Sequence, residues 1–173
     1  HDFGLTENYA IFPVFPTKTD HERLKAGGVH WTHDQQGDSW VGIMPRYGRG
    51  EQMRWFKGPK GIFAFHYINA FEQDGQVHID VCLADTQPFP FIRVASGIHR
   101  DPRDLKFTTE RWSFDMGRPG DGYSSRAISP PGDLPRLRDA DQGRPYPHFW
   151  LPSMDASLGP PLIGGPVGAQ FNA

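Results

Sequence analysis

Eight histidines are spread through the 173 residues: His1, His21, His30, His33, His66, His78, His99 and His148. Imidazole is the most versatile catalytic and metal-binding side chain near neutral pH, so their spacing is the first thing to weigh. No HExxH is present, and no Cys/His group has structural-zinc spacing. His30 and His33 are three apart, which on a helix would let them share a metal. The flanking Gly27-Gly28 and Gly37 favour a loop or strand there instead. His21, His99 and His148 lie among polar or proline-rich residues and read as solvated. His66 differs, because it sits among Phe63, Phe65, Tyr67, Ile68 and Phe71. Burying an imidazole in such surroundings costs free energy unless its nitrogens find partners. A hydrogen-bonded core histidine and a functional ligand both fit that pattern. The single cysteine, Cys82, lies in an apolar run (Val81-Cys82-Leu83) and reads as a small buried hydrophobe.

The elements that must hold these residues are strands. Glycine (20) and proline (17) are too frequent for a helical protein, and aromatic residues reach 13% with Phe commonest. Strands are expected at 8–15 (cut by Pro13), 40–45, 53–56 and 111–116. The clearest unit is a hairpin of 62–72 and 77–83 around Asp74-Gly75, a strong tight-turn dipeptide. Its second arm puts Val77, Ile79 and Val81 on one face and His78, Asp80 and Cys82 on the other. Only 20–26 looks helical, with Asp20 as its cap, and 168–173 reads as a strand fragment. Strands every ten to twenty residues suggest a sandwich, barrel or propeller, and pattern alone does not choose among them. The net charge of −2 argues against a nucleic-acid partner, and no apolar run is long enough for a membrane-spanning helix. A single cysteine fits a reducing cytoplasm.

Five segments, taken in order, carry a resemblance. They are His1-Asp2-Phe3-Gly4-Leu5-Thr6-Glu7-Asn8-Tyr9, Gly42-Ile43-Met44-Pro45-Arg46, and Phe65-His66-Tyr67-Ile68-Asn69-Ala70-Phe71-Glu72. Arg111-Trp112-Ser113-Phe114-Asp115 follows, then Asp133-Leu134-Pro135-Arg136 with Gly143-Arg144-Pro145-Tyr146. Together they resemble the carotenoid cleavage oxygenase family, most closely its bacterial lignostilbene-type dioxygenases. The resemblance implies an all-β fold, about two to three blades of a seven-bladed β-propeller with the metal on the central axis. It implies that residues 1–173 are part of a longer cytoplasmic bacterial oxygenase, whose N- and C-terminal parts lie outside this chain. His1 and His66 match the second and third of four histidine ligands of Fe(II). Asp133 matches a carboxylate that orients a ligand, where the family has the longer glutamate; an exposed turn aspartate after Pro130-Pro131-Gly132 is the alternative. Phe65 would line the substrate cavity or else serve the core. Glu7 and Glu72 are motif carboxylates expected to serve structure. The implied reaction uses O2 to cleave the conjugated double bond of a small stilbenoid alkene into two aldehydes, with no nucleic-acid or membrane partner. The alternatives are an apocarotenoid or carotenoid oxygenase of the same family, and a metal-free β-rich binding module.

Overall fold

The computed structural model describes residues 2–89, 91–98, 100–101 and 104–154, and the backbone of 161–164 and 170–172. His1 and His99 lie outside the described residues. Thirteen strands run through the described chain. They are β1 (Gly4–Leu5), β2 (Tyr9–Val14), β3 (Thr17–Lys18), β4 (Thr32–His33), β5 (Trp40–Pro45), β6 (Arg54–Lys57) and β7 (Phe63–Gln73). Then come β8 (Gln76–Ala84), β9 (Arg93–Val94), β10 (Phe107–Phe114), β11 (Ser124–Ser129), β12 (Pro161–Gly164) and β13 (Gln170–Asn172). One short helix, α1 (His21–Lys25), follows β3, and Asp20 caps it by accepting a 2.8 Å hydrogen bond from Arg23 N.

The strands form two four-stranded antiparallel sheets, ordered β1-β2-β5-β6 and β11-β10-β8-β7. These are two blades of a β-propeller, and the fold class is all-β as the resemblance implies. There are also two smaller sheets, β3-β4-β9 and β12-β13. Asp74 (φ 52°) and Gly75 (φ 75°) make the turn of the β7–β8 hairpin, where two successive positive φ values match the right-handed twist of the strands. Pro13 does not cut its strand. It pairs with Val41 outside the stretch that β1 covers, where β5 is the only strand paired with β2 among the described residues and the missing donor is tolerated. The polar β11, with most of its residues exposed, has no apolar pattern to announce it.

One apolar core joins the two blades. Ile11, Val41, Ile43 and Phe56 from the first meet Ala70, Ile79, Val81, Trp112 and Phe114 from the second, and the Phe56 and Phe114 rings stand edge to face at 4.9 Å. Two polar devices fix the relative position of the blades. The Glu72 carboxylate on β7 accepts from Thr6 Oγ1 (2.5 Å), Asn8 N (2.8 Å) and Asn8 Nδ2 (2.9 Å), tying the β1–β2 turn to the neighbouring blade. Burial alone would raise its pKa, but these donors outweigh it and hold the group below the ordinary carboxylate value. Glu7 is exposed. Arg54 donates to the carbonyls of Met116, Arg118 and Gly120, pinning the β10–β11 turn to blade one. Inside blade two, Asp80 is fully buried and takes both prongs of Arg111 (2.7 and 2.8 Å) and the Tyr146 hydroxyl, which ties Tyr146 to this blade.

Candidate metal and substrate site

His66 lies on β7, the strand of blade two that contacts β1 of blade one. Its register is irregular. Ala64 pairs with Leu83 and Tyr67 with Val81, so Phe65 and His66 together oppose the single residue Cys82. This is a β-bulge, and it re-aims side chains. Strict alternation would send Phe65 and His66 to opposite faces. With the bulge, both line one cavity of about 190 Å³ together with Phe63, Cys82, Phe89 and Asp133. A period-two reading of the sequence has no means of finding this.

Asp133 reaches His66 from the segment that follows β11. Its Oδ1 lies 2.9 Å from His66 Nδ1, and the same oxygen accepts from Leu134 N at 2.8 Å. An ionised carboxylate only accepts, so Nδ1 carries the proton and Nε2 is the ring nitrogen whose lone pair suits a metal. Asp133 is partly buried, not an exposed turn residue. Cys82 is 5% exposed and lies beside the same carboxylate. Burial pushes its thiol pKa up, and the charge of Asp133 pushes it the same way, so Cys82 is a neutral wall residue and not a nucleophile.

The cavity wall is aromatic. The Phe65 ring stands edge to face with His66 at 4.9 Å and with Phe89 at 4.8 Å, and Phe63 lies 5.7 Å from Phe89. The sequence singles out Phe65 but not Phe89. Phe89 sits in a proline-rich loop, where only its packing reveals it. The residues present fit a histidine-held divalent iron. The His66 imidazole has its Nδ1 proton fixed by a carboxylate, beside an apolar-walled cavity. Among the described residues no group of three or more metal-binding side chains occurs, and His1 lies outside them.

The other described histidines are held differently. His33 is fully buried; its Nδ1 meets Thr17 Oγ1 at 2.8 Å and its Nε2 meets the Gly61 carbonyl at 2.9 Å. His30 is exposed and its ring lies tilted against Trp31, while His33 is buried, so the His30/His33 pair does not converge. His78 pairs with Ser113 Oγ at 2.8 Å, and His21 and His148 are exposed.

A profile of the family described as "Retinal pigment epithelial membrane protein" (RPE65) matches residues 1–169. A curated relative, the lignostilbene-alpha,beta-dioxygenase isozyme III of Sphingomonas paucimobilis, is 37% identical over 163 residues, covering 91% of this chain and 33% of its own length. An isoeugenol monooxygenase of Pseudomonas putida is 34% identical over 121 residues, covering 70% of this chain and 25% of its own. The crystal structure of a Pseudomonas brassicacearum lignostilbene dioxygenase superposes with a TM-score of 0.86 at 35% identity, over 92% of this chain and 33% of that one. This chain therefore spans a quarter to a third of the length of the relatives it matches.

Proposed function

The chain belongs to the RPE65 family, the carotenoid oxygenases, and on that premise we propose that the protein is a non-haem Fe(II) dioxygenase that cleaves the conjugated double bond of a stilbenoid alkene. The 173 residues supply two blades of its propeller. His66 is a metal ligand through Nε2, His1 is a second, and Asp133 orients His66. The remaining ligands come from outside this chain. When bound, Fe(II) supplies the activation of O2; both oxygen atoms end in the two aldehydes, so the atoms balance with no cosubstrate. The protein's residues do the rest. Asp133 holds the Nδ1 proton and keeps the imidazole from turning. Phe65 and Phe89 offer ring edges and faces to a flat substrate and orient its alkene beside His66. Neutral Cys82, Leu83 and Phe107 keep water out of the same cavity.

The observation that carries this reading is the bulge at Phe65–His66, which brings an aromatic wall and a carboxylate-oriented histidine into one cavity. The relatives' names, lignostilbene dioxygenase and isoeugenol monooxygenase, favour a phenylpropenoid-sized aromatic alkene over a long polyene. The test is to incubate the whole protein with a 4-hydroxystilbene or with an apocarotenal under 18O2 and follow the products. Two labelled aromatic aldehydes from the stilbene support the reading. Cleavage of the apocarotenal alone moves the substrate to the carotenoid class, and no cleavage of either by iron-loaded protein contradicts the proposal.

A further inference from the structure

Aspartate is a short arm, one methylene shorter than glutamate, so Asp133 meets His66 only because its backbone comes close. The segment that brings it is a folded-back arm, residues 130–154. Pro130 is held at its carbonyl by Thr109 Oγ1 (3.2 Å), and Thr109 pairs directly with Cys82 on β8. The arm closes on itself through Met154 N to Pro131 O (2.7 Å), Asp133 N to Pro152 O (3.3 Å) and a bridge between Gly132 and Ser153. Gly132 is where the two halves of the arm press together. A Cβ there would lie 2.0 Å from Leu151 Cδ1 and 2.5 Å from the Pro152 carbonyl oxygen. A side-chain tip can turn away, but the carbonyl is backbone and has to move. On the other side of Asp133, Leu134 holds φ of 55°, a left-handed conformation that costs a branched residue free energy. Asp133 therefore sits between two backbone conditions that ordinary residues resist, and both serve to aim one carboxylate.

We propose that Gly132 and Leu134 are positioning residues that set the approach of the Asp133 backbone to His66, so that this arm governs how firmly the histidine holds a metal. The proposal rests on reading His66 as a ligand. Its signature is compensation. Gly132→Ala drives the halves of the arm apart and carries the short carboxylate off His66. Asp133→Glu alone over-reaches in the space available. In the double variant the longer arm makes up for the retreat.

The experiment follows the rate at which the iron-loaded whole protein yields Fe(II) to a colorimetric chelator, alongside the thermal midpoint of each metal-free variant. Each single substitution should speed iron loss by about tenfold or more, and the double variant should return close to the wild-type rate. A merely structural arm would instead give a double variant at least as fast as the worse single one, with additive losses in midpoint. That result overturns the proposal. Should Gly132→Ala not fold, Leu134 carries the test. Leu134→Gly, free in the left-handed region, should keep the wild-type rate, whereas Leu134→Val, which resists it, should lose iron faster. Equal rates for those two variants also overturn the proposal. His66→Ala separates the two claims. If it retains iron like the wild type, the ligand reading fails; if it loses iron while the double variant is merely additive, only the role of the arm fails.

Discussion

His33 and His66 are both part of strands, both near Phe63, and both bonded through Nδ1, yet the protein treats them in opposite ways. The Gly61 carbonyl can only accept, so His33 donates from Nε2 and takes the Thr17 hydroxyl proton at Nδ1. Both nitrogens are then spent on the protein, and the neutral ring is a finished piece of core. His66 has a carboxylate on Nδ1 and lines a cavity. A carboxylate partner fixes the proton on Nδ1 and makes Nε2 the ring nitrogen whose lone pair suits a metal, the arrangement a ligand needs. Burial alone does not single out His66, because His33 is the more buried of the two. The proposed ligand role of His66 rests on the partner's chemistry, carboxylate against carbonyl.

The largest test of that contrast exchanges the two residues for alanine. His66→Ala should empty the whole protein of iron, measured as metal per folded molecule, while leaving its melting behaviour nearly intact. Retained iron would erase the distinction. Asp80 extends the comparison to the satisfied class. Asp80→Ala strands Arg111 and frees Tyr146, and should cost about 3–5 kcal/mol in denaturant unfolding, with the iron content of the folded fraction unchanged. His33→Ala should cost about 2–4 kcal/mol for a cavity and two lost hydrogen bonds, again with iron retained. Asp133→Ala should weaken metal retention by about 10–100-fold with little change in midpoint, the reverse of the His33 result.

The smallest effect is one of pH. Burial pushes the pKa of His33 below the ordinary value of 6.5, and the Gly61 carbonyl only partly offsets this. The unfolded chain therefore binds a proton that the folded chain refuses. The stability that the neutral ring contributes is present in full above 6.5 and is lost as the pH falls toward the folded value. The thermal midpoint should drop with acid over that window, and the drop should be shallower in His33→Gln. An unchanged slope would mean that His33 is not held neutral.

Much of this was legible in the sequence, and what was hidden has physical causes. The strand Trp40–Pro45 has the bounds its apolar run implies, and the β7–β8 hairpin differs by one residue at each of its four ends, because side-chain pattern and the Asp-Gly turn agree there. β10 begins at Phe107, four residues earlier than its Arg-Trp motif suggests, since Thr108, Thr109 and Glu110 are polar yet paired with β8. Asp80 and Cys82 share the face expected opposite Val77, Ile79 and Val81, and that face is buried as well. A charged residue amid an apolar strand was the available signal that a partner such as Arg111 must exist. The bulge at Phe65–His66 leaves no mark on composition or spacing, because its extra residue appears only when two strands are set side by side. The meeting of Asp133 with His66 across 67 residues was available only through motif resemblance, since no local pattern connects them.

The most direct test of the central claim is anomalous diffraction at the iron edge from crystals of the whole protein. The account predicts one peak about 2 Å from Nε2 of His66, opposite the Nδ1 that Asp133 holds and at the edge of the Phe65–Phe89 cavity. An iron peak elsewhere, with Nε2 of His66 turned to a protein carbonyl as in His33, would contradict it.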